Sequence, residues 1–414
     1  MLIHRLKVSG LLSFGPNGVD LPMEPLNVLI GPNGSGKSNF LEAMALLQAA
    51  PRGIAEPISR MGGVYNWLWK GSEALQSIGM EVEVGYPYGG VLRHSIMLSD
   101  RNGRPEVIEE RVETSETHTN ERVALSYYRP PPDEQAAMEF AKANAEAALE
   151  DSKRKVRPGE WSTPRLVARY RTGAVDFAGE FHPEQSLLSV AATPDYPGLW
   201  YLKEHYERIR LFRNWSFGPY AELRKNQSAH DRADFLNESG TNLALVLSNF
   251  PGGSKRQVVA ALEKLYDGIV NLDFPVVGGT VALFLEESGN REIPATRLSD
   301  GTLRYLCLLA ILLHPKPAPL IVIEEPELGL HPDLLPTVAD LLTAASERCQ
   351  LIVTTHSDVL VDALTDTPES VVVCEKHDGQ TEMRRVDKVD LERWLKEYTL
   401  GNLWSSGQLG GNRW

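Results

Sequence analysis

Gly31-Pro32-Asn33-Gly34-Ser35-Gly36-Lys37-Ser38 satisfies the pattern G-x-x-x-x-G-K-[ST] at every position. Residues of these types at this spacing suit a polyphosphate. The glycines let the backbone curl until successive N–H groups point at one anion. A helix expected to begin near Lys37 adds its positive end. Lys37 would place its ammonium on the β- and γ-phosphates of a nucleotide, and Ser38 would offer its hydroxyl to Mg²⁺. Asn33, Gly34, Ser35, Gly36 and Asn39 complete the expected cradle. By itself the loop does not choose between a kinase, a GTPase and an ATPase.

Three other places narrow that choice. Leu320-Ile-Val-Ile-Glu324-Glu325-Pro326 is an apolar run ending in two carboxylates. Adjacent side chains at a strand end diverge with the pleat. Glu324 can therefore face a metal while Glu325 faces a water at the γ-phosphate, as general base or water holder. Leu298-Ser299-Asp300-Gly301-Thr302 precedes a strongly apolar helix. Ser299 and Gly301 there offer a hydroxyl and an unhindered N–H at a helix start, a second anion site. Plain capping by Ser299 or Asp300 would account for the same residues. His356, just after Leu351-Ile-Val-Thr354, can contact the γ-phosphate and report its presence.

The surrounding pattern supplies the elements that must hold these groups. Leu26–Ile30 reads as a buried strand and 39–50 as a helix. Residues 79–84 and 91–98 read as a β-pair. Leu199–Arg213 reads as a helix carrying Arg208, Arg210 and Arg213, and 242–249 and 255–266 as two more helices. Strands are expected around Gly278-Gly279. Helices over 302–313 and 334–346 alternate with apolar strands at 320–323, 351–354 and 371–374. That alternation is the mark of a covered, mostly parallel sheet.

The chain has 414 residues, enough for one large α/β domain with an insertion or for two domains. A formal net charge of -13 excludes a whole-molecule basic field, so any nucleic acid must bind a local patch. Candidates are Lys153, Arg154, Lys155, Arg157, Arg165, Arg169 and Arg171, and a second group of Arg208, Arg210, Arg213, Arg224 and Lys225. Tyr170, Trp200, Tyr201, Tyr206, Phe212 and Trp215 lie among them. A small aromatic core with internally paired arginines explains this region too, and the acidic total favours it. Three scattered cysteines form neither a disulfide framework nor a zinc site. No apolar stretch is long enough to cross a bilayer, and the first residues alternate like a strand, so a cytoplasmic protein with no membrane partner is expected. Residues 133–155 read as a single charged helix, far too short for a coiled-coil arm.

Taken in order, GPNGSGKS (31–38), LSDGT (298–302), LIVIEEPELGLHP (320–332) and IVTTHS (352–357) resemble the ABC-type ATPases of the SMC/RecF/OLD group. The chain is most similar to bacterial RecF-like, AAA-family ATPases, whose tail looks like 398–414 here. The resemblance implies an α/β P-loop NTPase: an ABC-type ATPase head with a mostly parallel sheet, an antiparallel β part and a helical insertion. Its expected divisions are 1–115 (phosphate loop), 116–240 (largely helical insertion or lid) and 241–414 (signature, acidic strand and switch histidine). It implies ATP and Mg²⁺ as ligands, and a head-to-head homodimer in which Ser299 and Gly301 cap the partner's nucleotide. Glu325 would be the catalytic glutamate, His356 the switch residue, Lys37 the phosphate lysine, with Ser38 and Glu324 at the metal. Leu330-His331-Pro332 would cross the interface.

The chain departs from the pattern at several points. Glutamate stands at 324 where transporter-type relatives usually carry aspartate, and Thr302 where many signatures carry glutamine. No lid glutamine is evident; Gln76 and Gln135 qualify by position only. No C-x-x-C apex exists. The segment 371–379 lacks the carboxylate pair of a built-in nuclease and reads better as a hairpin turning at Asp378-Gly379. Two roles follow from the resemblance. One is ATP-gated work on DNA, in repair or in defence against foreign DNA. The other is a nucleotide-sensing scaffold that holds a separate effector, a nuclease or toxin, without binding DNA. The insertion makes a transporter role the weaker reading.

Overall fold

A computed structural model describes residues 1–71, 77–87, 90–114, 124–128, 165–170, 173–177, 182–190, 192–194, 196–213 and 215–411. Two large sheets organise them. The first has eight antiparallel strands in the order Val19–Pro22, Ile3–Ser9, Ser77–Gly85, Val91–Arg101, Arg104–Thr114, Ala124–Tyr128, Arg165–Tyr170 and Gly173–Phe177. The second has six, in the order Arg210–Phe212, Leu320–Glu324, Gln350–Thr354, Leu26–Ile30, Val371–His377 and Gln380–Arg385. Neighbours among its first five are parallel, and the last pair is the antiparallel hairpin expected at Asp378-Gly379.

The central strands are apolar on both faces because both faces are covered. Val28 and Ile30 enter one core and Leu29 the other; Ile321 and Ile323 alternate with Leu320 and Val322 in the same way. One core is completed by the helices Asp300–Leu312, Leu335–Ser346, Leu243–Ser248 and Gly252–Glu263. The other joins the antiparallel sheet to the helix Lys37–Ala49, which is buried nearly all round. This is the expected α/β P-loop NTPase architecture, and the C-terminal ends of Leu26–Ile30, Leu320–Glu324 and Gln350–Thr354 share one edge.

One expected element is different. The helix runs from Pro197 to Tyr206, and Arg210–Phe212 is a strand lying parallel to Ile321–Ile323. Lateral hydrogen bonding to a central strand here overrides a local preference that three residues cannot defend. Within 116–240 the described residues include strands at 124–128, 165–170 and 173–177 as well as helical segments. The charged helix expected over 133–155, the basic positions 153–157 and 171, and Gln76 and Gln135 lie outside the described residues, as do the side chains of Arg165, Arg169 and Tyr170.

Candidate active site

The phosphate loop leaves its strand at Ile30 and enters its helix at Lys37 through three glycines with positive φ: Gly31 at +148°, Gly34 at +80° and Gly36 at +102°. Neighbouring chain presses on two of them. A Cβ on Gly31 would stand 2.2 Å from the Cys374 carbonyl oxygen, and one on Gly36 2.1 Å from Thr381 Oγ1. Thr381 hydrogen-bonds the Ser35 carbonyl at 2.8 Å and Ser13 Oγ at 2.6 Å, and Asn39 donates to the same Ser13 Oγ at 2.6 Å. Two distant hydroxyls thus clamp the loop.

The cradle fits a polyphosphate. Gly36 caps the helix without a side chain, and no acidic residue occupies the first turn to offset the positive end. Ser35 Oγ is buried without a partner. Lys37 Nζ donates to the carbonyls of Gly31 (2.7 Å) and Pro32 (3.1 Å). Burial lowers its pKa from the usual lysine value, and nearby negative groups, Glu325, Glu324 and Glu327 among them, oppose that shift. Asn33, Gly34 and Ser38 are exposed, while Ser35, Gly36 and Lys37 are buried.

The acidic strand arrives beside this loop. Ser38 Oγ donates to Glu324 Oε1 at 2.6 Å. These two oxygens are suitable donors for Mg²⁺, which usually takes one or two protein oxygens and fills the rest with phosphate and water. Among the described residues no cluster of His, Cys, Asp or Glu forms a metal cage without a phosphate. Glu325 turns away with φ +49°, its N–H donating to the Thr354 carbonyl at 3.0 Å. Its Oε1 is 3.4 Å from His356 Nε2. Burial, and then the charge of Lys37, lower the His356 pKa against the pull of Glu325, which favours the neutral imidazole at physiological pH.

Ser299 and Gly301 stand on a different element. Ser299 is exposed and caps the 300–312 helix, accepting from Thr302 N at 3.0 Å. Gly301 abuts the loop after the acidic strand: a Cβ there would come within 2.7 Å of the Gly329 carbonyl oxygen. Within the turn Ser299 and Asp300 are exposed, whereas Leu298 packs into the chain's own core.

Four residues of the site, Arg213, Glu42, Glu327 and Arg304, had no expected part in it. Arg213 donates from Nε to Glu324 Oε2 (3.1 Å) and from Nη1 to Glu42 Oε1 (2.8 Å). Burial works against its charge, but the bonds and charges of Glu42 and Glu324 prevail and raise its pKa. Glu327 Oε1 accepts from Thr355 Oγ1 and His356 N, each at 2.7 Å, while its Oε2 is buried without a partner. Arg304 reaches the Glu325 carbonyl. The contiguous Glu324-Glu325-Pro326-Glu327 run was a usable signal for Glu327.

The second basic and aromatic group is partly internal. Tyr206, Phe212 and Arg224 are buried, and Arg224 donates to the carbonyls of Phe217, Ala295 and Leu298 and to Asp300. Arg208 and Lys225 of the same group, and Trp200 beside them, are exposed. No helix among the described residues is long and apolar enough to cross a membrane.

Comparison with known proteins agrees with this fold. The family described as "AAA domain, putative AbiEii toxin, Type IV TA system" matches residues 26–89 and 160–362. No curated protein matches the chain. Among solved structures, an SMC head bound to the C-winged helix domain of ScpA is similar over 96% of this chain and 100% of that one, at 14% identity and a TM-score of 0.54. An SMC head with an extended coiled coil bound to the C-terminal domain of ScpA, derived from Pyrococcus furiosus, is similar over 96% and 99%, at 15% identity and a TM-score of 0.50. Such identities speak to fold alone. With its phosphate loop, acidic strand and His356 gathered at one sheet edge, the chain belongs to this AAA-domain family and has the P-loop ATPase fold of an SMC-like head.

Proposed function

We propose that the chain binds ATP with Mg²⁺ and hydrolyses it in a homodimer, each subunit capping its partner's nucleotide. One observation carries this reading. Lys37, Ser38, Glu324, Glu325 and His356 converge, whereas the Ser299 turn stands exposed on another element, free to meet a second molecule. Lys37 would exchange its two carbonyl acceptors for phosphate oxygens. Glu325 would hold the attacking water and take its proton, with neutral His356 orienting both carboxylate and phosphate. Ser38 and Glu324 would hold Mg²⁺, which when bound offsets charge on the phosphates.

The test is ATP-dependent mass measurement of Glu325→Gln. It should trap a dimer with ATP that falls apart with ADP. A strictly monomeric variant with full turnover would sink both the base assignment and the shared site.

ATP-gated work on DNA, in repair or defence, remains the first biological role. A scaffold that regulates a separate effector is the second, and the internal placement of Arg213 and Arg224 supports it. DNA-stimulated, salt-sensitive ATP hydrolysis favours the first. A DNA-indifferent ATPase that co-purifies with one partner protein favours the second.

A further inference from the structure

Two carboxylates from distant parts of the chain converge on one guanidinium beside the candidate metal position. Glu42 lies on the helix that follows the phosphate loop and is only 8% exposed. Glu324 ends the acidic strand. Arg213, one residue beyond the Arg210–Phe212 strand, spans the two at 2.8 and 3.1 Å. The parallel pairing of that strand with Ile321–Ile323 brings them together across 111 residues of sequence.

The arrangement has a direct electrostatic consequence. A nucleoside triphosphate brings about four negative charges to the loop. Lys37 senses Glu325, Glu324 and Glu327, and Arg304 senses Glu327 and Glu325. Arg213 is the cation hydrogen-bonded to Glu324 and Glu42. Without it, the two neighbouring carboxylates would oppose the incoming phosphates until a divalent ion arrived. Its grip has a geometric effect as well. With Oε2 held by Arg213, Glu324 turns Oε1 to Ser38 at 2.6 Å, which leaves a carboxylate and a hydroxyl oxygen side by side.

We propose that Arg213 is the charge-compensating and positioning residue of the site: it aims Glu324 at Ser38 and neutralises the Glu324–Glu42 pair, so that a triphosphate can enter ahead of the divalent ion. The inference rests on the nucleotide reading above. It assigns the arginine no contact with substrate; it acts through Glu324.

The experiment measures binding of a fluorescent ATP analogue to the full chain, once in EDTA and once in saturating Mg²⁺. Wild type should bind in both. Arg213→Ala should weaken binding about tenfold or more in EDTA and by less than about threefold with Mg²⁺, because the ion supplies the missing charge. Arg213→Lys, which keeps the charge, should stay within about threefold of wild type in EDTA. Glu42→Gln alone should tighten metal-free binding, and Glu42→Gln combined with Arg213→Ala should recover most of the loss. A merely structural arginine predicts equal losses with and without Mg²⁺, and that result overturns the proposal. So does an Arg213→Ala variant with no loss in either condition, or wild-type binding seen only with Mg²⁺. If Arg213→Ala fails to fold, Glu42→Gln decides: unchanged or weaker metal-free binding overturns it. Wild type that binds the analogue in neither condition would instead remove the nucleotide reading itself.

Discussion

Arg304 donates from Nη1 to the backbone carbonyl of Glu325 at 3.2 Å. Its guanidinium also lies against two rings, 5.4 Å from the centre of Trp215 and 5.1 Å from that of Phe217. A residue of the helix that begins at the Ser299 turn therefore holds the main chain of the residue assigned to the attacking water. That main chain has φ +49°, a conformation costing a non-glycine residue about 1–2 kcal/mol. The arginine, seated near both rings, helps keep it there.

Arg304→Ala should accordingly lower kcat by about 10- to 100-fold while changing KM for ATP by less than about threefold. Lysine at 304 should rescue only part, since an ammonium lacks the planar fork that packs over the rings and reaches the carbonyl at once. Steady-state kinetics decides; a change confined to KM would place Arg304 in binding instead.

The glycines of the phosphate loop should not be equivalent. Gly36→Ala sets a methyl 2.1 Å from Thr381 Oγ1 at φ +102°, and should cost about 2–4 kcal/mol and abolish nucleotide binding. Gly34→Ala, at φ +80° with nothing within 4 Å, should cost about 1 kcal/mol. Urea denaturation ranks the two, and equal costs would contradict the clamp.

Ser299 should serve twice. As a helix cap, its replacement by alanine costs about 1 kcal/mol of stability. As the cap of a partner's nucleotide, the same change should abolish ATP-dependent dimers in the Glu325→Gln background. Mixing a Ser299→Ala chain with a Lys37→Ala chain should restore some heterodimer, because one composite site stays whole. Light scattering reads the outcome; dimers that survive Ser299→Ala leave only the structural role.

Glu327 gives a pH signature. Burial raises its pKa above 4.5, against the pull of the hydrogen bonds from His356 N–H and the Thr355 hydroxyl. Between 4.5 and that raised value the folded chain binds more protons than the unfolded one. This group therefore makes folding less favourable as pH rises through the window. Glu327→Gln carries no such charge and keeps an acceptor oxygen for Thr355 and His356. It should be more stable than wild type at pH 8, with a margin that closes as pH falls towards 4.5. A margin that widens on acidification would reverse the assignment.

What the sequence disclosed and what it hid follow from chain distance. Gly31–Ser38, Glu324-Glu325 and Ser299–Thr302 are contiguous, so their chemistry is written locally, and the alternation of apolar strands and helices announced the parallel sheet. Arg213 reaches Glu324 only through a three-residue strand whose existence depends on a neighbour 111 residues away. Ser13 and Thr381 meet across 368 residues. No local periodicity encodes such contacts. The same topology turned Tyr206, Phe212 and Arg224 inward, where composition alone left open a nucleic-acid surface.

The phosphate loop is made early and supported late. Thr381 secures the Ser35 carbonyl, and the chain near Gly411 lies against Gly31, with its N–H on Glu375 Oε1 at 2.8 Å. On a ribosome adding about 5–20 residues per second, roughly 20 to 75 s separate synthesis of Lys37 from that of Gly411. Through that interval the nascent polypeptide carries its nucleotide motif without the parts that hold it in shape. The phosphate loop with all the neighbours described here therefore exists only after residue 411 has been translated.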